Sequence, residues 1–297
     1  MLSGGSVVDM ALTRIARSDF VQLSRLRMHV LDWPAAPAGA AEPPVVLLHP
    51  NRTNARVWDF VVEHSTLPNR WLAPDQRGHG LSEYPAAGYQ LDDYVTDTVE
   101  LLDALGVPEA HFLAAATGGN IALLLASQHP ERVRTLTVVD PGLSLDPEIS
   151  HKVRDQMKAE FRFPSLADAR AKMPFSAHWS EEMKEHYARH SFAPVGGGVG
   201  GDRADGDVEW RYFIPGVIET EAALEPDMWH RIHVRCPLLA IRGAESRVFD
   251  ETRMARLAEI VPGCRTMAIE ADHRVSQDNP QALAAAVDAF IRAPGGA

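Results

Sequence analysis

Residues 109–133 read EAHFLAAATGGNIALLLASQHPERV, and the fold turns on how this stretch bends. AHFLAA (110–115) is a short apolar run of the kind a buried strand needs. The glycine pair Gly118 and Gly119 then marks a sharp turn, and GGNIALLLASQHP continues as a helix. A strand that passes through a tight turn into a helix presents its apex residue at the edge of a sheet. Here that apex is Ala116, which carries no reactive group.

Working outward, apolar runs alternate with helical ones. PPVVLLHP (43–50) and RWLAPD (70–75) predict strands, the second followed by the turn QRGHGLS. In YQLDDYVTDTVELLDALG (89–106), Leu91, Tyr94, Val95, Val99, Leu101, Leu102 and Leu105 fall at helical spacing, and Gly106 stops the helix. VRTLTVVDPG (133–142) is the next strand. The alternation predicts an α/β protein with a mostly parallel, doubly wound sheet covered on both faces. From 142 to 230 the pattern changes to polar and aromatic helical segments, HKVRDQMKAEF, SLADARAKM, SEEMKEHYARH and ALEPDMWHRI, with the glycine-rich VGGGVGG (195–201) expected as a mobile loop. Strand and helix then alternate again in CPLLAIRGAES (236–246), ETRMARLAEIV, RTMAIEADH and PQALAAAVDAFIRA, the last begun by Pro280. The expected organisation is a core of residues 1–141 and 231–297 with an inserted helical cap, or lid, of residues 142–230.

The chain has 297 residues, enough to bury a sizeable core, and its 45% hydrophobic and 23% charged content is that of a globular protein. Its formal net charge of −11 argues against nucleic acid or an anionic membrane surface as partner and favours a small molecule. Cys236 and Cys264 are too few and too far apart for a disulfide framework or a zinc knuckle. The N-terminal residues lack the apolar core of a signal peptide, and no run approaches the length of a membrane span, so a cytoplasmic protein is expected. No metal-ligand cluster, phosphate loop or dinucleotide fingerprint occurs, and no cofactor or metal is expected.

The ordered set VVLLHP, DQRGHGLS, AAATGG, HPERVRTLTVVD, a cap, PLLAIRGAES and ADHRVSQDNP resembles the α/β-hydrolase fold from about residue 20 to residue 293. Aligned on Gly118, Gly119 and the following NIAL, the G-x-S-x-G elbow of that family places Ala114 on the first glycine, Ala116 on the serine and Gly118 on the last glycine. Alanine cannot attack a carbonyl, and Thr117, one residue past the apex, should point its side chain away. The resemblance gives Thr117 a backbone role instead: its N–H and that of Asn51, in the loop HPNRTN, would form the oxyanion hole. It names His273, in IEADHRVSQDNP, as the catalytic imidazole. The acid that orients it is Asp140, at the end of TLTVVDPG, with Glu245 in GAESRVF as the alternative. Asp75 is expected to organise its turn, and His49, His79 and His111 to be structural.

Three readings follow. In the first, the chain is a hydrolase of carboxylic esters or lactones working by Ser-His-Asp chemistry, here in an inactive Ser-to-Ala form at Ala116. In the second, Ala116 is natural and His273 with Asp140 acts as a base without a nucleophile, as in a cofactor-free dioxygenase, lyase or cyclase. In the third, the chain is a non-catalytic hydrolase-like binding protein. The substrate is expected to be apolar and of medium size, because the cap supplies Phe161, Phe163, Met173, Phe175, Trp179, Tyr187, Trp210, Tyr212, Phe213, Met228 and Trp229 as wall material.

Overall fold

Side-chain alternation along the central strands sets the architecture. In the computed structural model, which describes residues 12–144, 147–159, 161–173, 175–195 and 206–295, a hairpin of β1 (Arg17–Gln22) and β2 (Arg27–Trp33) precedes the buried β3 (Val45–Leu48). Val46 and Leu48 point into one apolar cluster and Val45 and Leu47 into another. A strand apolar on both faces must be covered on both, and it is: α1 (Asp59–His64) packs on the side of Val45. After β4 (Trp71–Pro74), α2 (Leu91–Ala104) covers the other side, its buried Leu91, Tyr94, Val95, Leu101 and Leu102 realising the predicted stripe. Gly106 closes that helix in the left-handed conformation, φ 64°.

The strand, turn and helix of the deciding stretch become β5 (Ala110–Ala115) and α3 (Thr117–Gln128). β6 (Val133–Val139) follows, then α4 (Pro147–Ala159), β7 (Arg162–Phe163), α5 (Leu166–Lys172), α6 (Glu181–Ser191), β8 (Phe192–Pro194), β9 (Val208–Trp210) and α7 (Ile214–Ala223). Returning to the main sheet, β10 (Leu238–Gly243), α8 (Glu251–Ile260), β11 (Arg265–Ile269), the short α9 (Val275–Asp278) and α10 (Pro280–Arg292) complete the chain. The eight-stranded sheet runs β1-β2-β4-β3-β5-β6-β10-β11, antiparallel only at β1/β2 and β2/β4. It is an α/β-hydrolase fold.

The segment between β6 and β10 differs in detail from its expectation. Its helices are joined by a separate three-stranded sheet, β7-β9-β8, whose two- and three-residue strands give no periodicity. ALEPDMWHRI, expected as a helix, forms only a single 3-10 turn at Trp229–Arg231, because Pro226 lacks the N–H that a helix interior uses. The helix lies earlier, at α7. Of VGGGVGG, residues 196–201 lie outside the described residues. Among the described residues no helix is long and apolar enough to cross a membrane.

Candidate active site

The turn between β5 and α3 has no slack. A Cβ on Gly118 would lie 2.3 Å from the carbonyl oxygen of Leu48, and one on Gly119 would lie 3.3 Å from Pro141 Cβ. Ala114, paired with Leu48 on one side and Val138 on the other, is fully buried. Squeezed between them, Ala116 adopts φ 48° and ψ −117°, a region that costs an L-residue about 1–3 kcal/mol. Its N–H is tied to Val139 O at 2.9 Å and its carbonyl to Asn120 N at 3.1 Å. The neighbours therefore dictate this conformation.

At the end of β6, Asp140 also has a positive φ, 50°, and its N–H donates to Ile241 O of β10. His273 comes from the loop after β11, which β10 receives closely: a Cβ on Gly243 would lie 2.1 Å from Asp272 O. These two loops meet. His273 Nδ1–H donates to Asp140 Oδ2 at 2.8 Å, the carboxylate almost wholly buried and the imidazole 36% exposed. With Nδ1 occupied in this way, the other ring nitrogen is left to accept a proton. Asp140 Oδ1 is buried with no hydrogen-bond partner. Glu245 does not reach His273; it faces His178 at 3.4 Å at the surface.

The loop after β3 is stapled by its own atoms. His49 Nδ1–H and Thr53 Oγ–H both donate to Pro50 O, at 2.8 and 2.7 Å, and Gln76 N–H donates to His49 Nε2 at 2.9 Å. Asn51 gives its side-chain amide to Glu221 Oε2 and Val217 O of α7, which ties the loop to the segment between β6 and β10. Among the described residues, the backbone N–H groups of Asn51 and Thr117 have no acceptor, so both remain available to a ligand oxygen.

The remaining histidines sit as structural parts. Burial lowers the pKa of His49 and drives that of His79 down to about 3; His111, bonded to Thr135 Oγ1, falls to about 4 for the same reason. Asp75 accepts hydrogen bonds from His29 Nδ1, Ala55 N and Leu81 N. Burial opposes its charge, but His29 and those amides hold its pKa below the ordinary value. The thiols of Cys236 and Cys264 are pushed up to about 11 by burial, which removes them as nucleophiles at neutral pH.

A cavity of about 140 Å³ opens beside His273, walled by Pro50, Asn51 and Ala115 from the core and by Met173, Tyr187, Trp210 and Tyr212 from the intervening segment. Four of the eleven apolar residues expected as wall material line it. Others fill the protein, Phe163 and Trp179 in one cluster and Met228 and Trp229 in another. A larger space, about 690 Å³, lies at the opposite ends of the strands, by Glu109, His111 and Arg134, and contains none of the expected site residues. Ligands of open α/β sheets bind at the carboxyl ends of the strands, where the smaller cavity is. The sequence reading had not singled out Arg52 and Arg274, which line this cavity next to Asn51 and His273; their adjacency to two expected site residues was the available signal.

Comparison with known proteins places the fold. The family described as alpha/beta hydrolase fold matches residues 43–279. The chain is similar to 3-oxoadipate enol-lactonase 2 of Acinetobacter baylyi, 26% identical over 253 residues, covering 85% of this chain and 90% of the relative. Among solved structures, E-2-(acetamidomethylene)succinate hydrolase superposes with a TM-score of 0.81 at 21% identity, covering 93% of this chain and 99% of the other. The N-formylmaleamic acid deformylase of Pseudomonas putida S16, solved as a serine-to-alanine form, does so with a TM-score of 0.69 at 20% identity, over 91% of this chain and all of the other.

Proposed function

The chain belongs to the α/β-hydrolase family, and we propose that it is a hydrolase of carboxylic esters or lactones, built for Ser-His-Asp chemistry and inactive as it stands because position 116 carries alanine. The observation that carries this reading is the strained backbone of Ala116. Alanine gains nothing from φ 48°, whereas a nucleophile needs that turn to stand clear of the sheet. The enol-lactonase relative points to the same reaction class.

With a serine at position 116, His273 takes the hydroxyl proton as the oxygen attacks the ester or lactone carbonyl. The hydrogen bond from Nδ1 to Asp140 holds the ring in the required tautomer and stabilises the imidazolium. The amides of Asn51 and Thr117 receive the oxyanion. His273 then protonates the leaving alkoxide, and water attacks the acyl-enzyme with the same base. A second reading, in which His273 and Asp140 deprotonate a bound phenol, enol or hydroxyl with no covalent step, rests on the same intact pair.

The test compares this chain with Ala116→Ser on aryl esters and lactones, alongside labelling by a fluorophosphonate. Turnover and labelling confined to the serine variant are expected. No turnover and no labelling there would sink the hydrolase reading and leave the nucleophile-free one.

A further inference from the structure

Charge reverses at the cavity. The chain carries a formal net charge of −11, yet among the described residues the wall beside His273 includes two arginines, Arg52 and Arg274, and no aspartate or glutamate. Arg274 lies against the ring of Trp179, its guanidinium 5.5 Å from the centroid. Arg52 is different. Its backbone is left-handed, φ 63°, a conformation that glycine or asparagine adopts more readily.

His79 touches that bend. Its Nδ1 lies 2.9 Å from Arg77 O, and its Nε2 lies 3.2 Å from the backbone N of Arg52 and 3.0 Å from Asn51 Oδ1. Burial lowers the pKa of this imidazole to about 3, and the buried ring packs against the Arg52 backbone N–H. Among the described residues no carboxylate pairs with the Arg52 guanidinium, whereas Arg25, Arg70 and Arg77 each hold an aspartate. Its charge is felt instead by the phenol of Tyr212, another wall residue.

A guanidinium with no carboxylate partner among the described residues, lining a cavity whose described wall carries no acid, is complementary to an anion. Its planar set of N–H donors matches the two oxygens of a carboxylate. At about 140 Å³ the space falls below the roughly 300 Å³ at which drug-sized sites begin, which suits a short chain. We propose that the ester or lactone accepted at this site carries a second, ionised carboxylate on a short chain, and that Arg52 is the specificity-determining residue that binds it. For its reaction, though not for its binding, this rests on the hydrolase reading above.

Two probes of matched length test it, 4-nitrophenyl hydrogen glutarate and the neutral 4-nitrophenyl pentanoate. The Ala116→Ser variant should favour the glutarate half-ester by about tenfold or more in kcat/KM. Adding Arg52→Gln should lower that ratio by about 10–100-fold, the range of hydrogen bonds to charged groups, while Arg52→Lys retains part of it. Should Arg52→Gln not fold, as judged by thermal unfolding, 0.5 M salt replaces it and should cut the ratio several-fold. A ratio near one, or one that neither Arg52→Gln nor salt moves, overturns the proposal while leaving hydrolysis intact. If Ala116→Ser hydrolyses neither probe, the hydrolase reading fails and calorimetry on the Ala116 chain decides the site: binding of monomethyl glutarate that Arg52→Gln weakens sustains it, and no preference over methyl pentanoate overturns it.

Discussion

Two histidine–aspartate pairs in this molecule have the same length and opposite roles. His29 Nδ1 and Asp75 Oδ2 are 2.8 Å apart, as are His273 Nδ1 and Asp140 Oδ2. In the first pair both side chains are 4% exposed, the Ser18 hydroxyl covers His29 Nε2 at 2.7 Å, and Asp75 also takes amides from Ala55 and Leu81. In the second, the imidazole reaches a cavity and one carboxylate oxygen is left over. A short hydrogen bond therefore does not mark chemistry. What distinguishes them is the state of the ring's other nitrogen: saturated in the first pair, as a brace requires, and open to a cavity in the second, as the proposed base requires.

The largest effect should separate the two pairs outright. With Ala116→Ser in place, His273→Ala should lower kcat by about 10⁴–10⁶-fold, the scale on which triad members act. His29→Ala, some distance along the sheet, should change kcat by less than about threefold, provided the protein is assayed well below its unfolding temperature. Comparable losses from both would erase the distinction. In stability the two should instead be alike. His29→Ala leaves Asp75 charged, buried and short of a partner, a situation that costs about 3–5 kcal/mol. His273→Ala likewise strips the buried Asp140 carboxylate of its partner, its other oxygen having none, and should cost a comparable amount. Urea unfolding of both variants measures this directly.

How much of this was legible before the structure depends on the range of the interactions involved. β5, the turn and α3 are local, and so are β3, α2, β10 and α10; their periodicity and their Gly and Pro signals suffice. The β7-β9-β8 sheet was not, since β7 pairs with β9 across more than forty residues and each strand is only two or three residues long. Asp140 and His273 are 133 residues apart. Only the resemblance to the family joined them, with Glu245 as the alternative; in the structure it is Asp140 that hydrogen-bonds His273. The left-handed backbone of Arg52 was illegible because the side chain that contacts it, His79, is 27 residues away.

Acid should sharpen the comparison from another side. His79 is protonated only near pH 3 when folded but near 6.5 when unfolded. Between those values the unfolded chain binds more protons, so stability is full above about pH 6.5 and falls as pH falls. At pH 5 the loss from His79 alone is about 2 kcal/mol, and His111, shifted to about 4, acts in the same direction. Denaturant midpoints at pH 7.5 and pH 5 give the difference. A flat profile would mean that these rings protonate as readily folded as unfolded, and that they are not the sealed braces described above.

The smallest effect bears on the elbow. Glycine tolerates φ 48°, ψ −117° without the penalty that a Cβ incurs there, about 1–3 kcal/mol, although it adds about 0.5–1 kcal/mol of unfolded-state entropy. Ala116→Gly should therefore stabilise the protein by about 1 kcal/mol, against the usual sign of alanine-to-glycine changes. Two residues on, Gly118→Ala should go the other way, because its Cβ would lie 2.3 Å from Leu48 O, a contact that no flexible side chain can relieve. If Ala116→Gly instead destabilised by as much as an ordinary substitution, the elbow would be relaxed with alanine in it. Position 116 would then have no memory of a nucleophile, and the His273–Asp140 pair would have to be read as a base working alone.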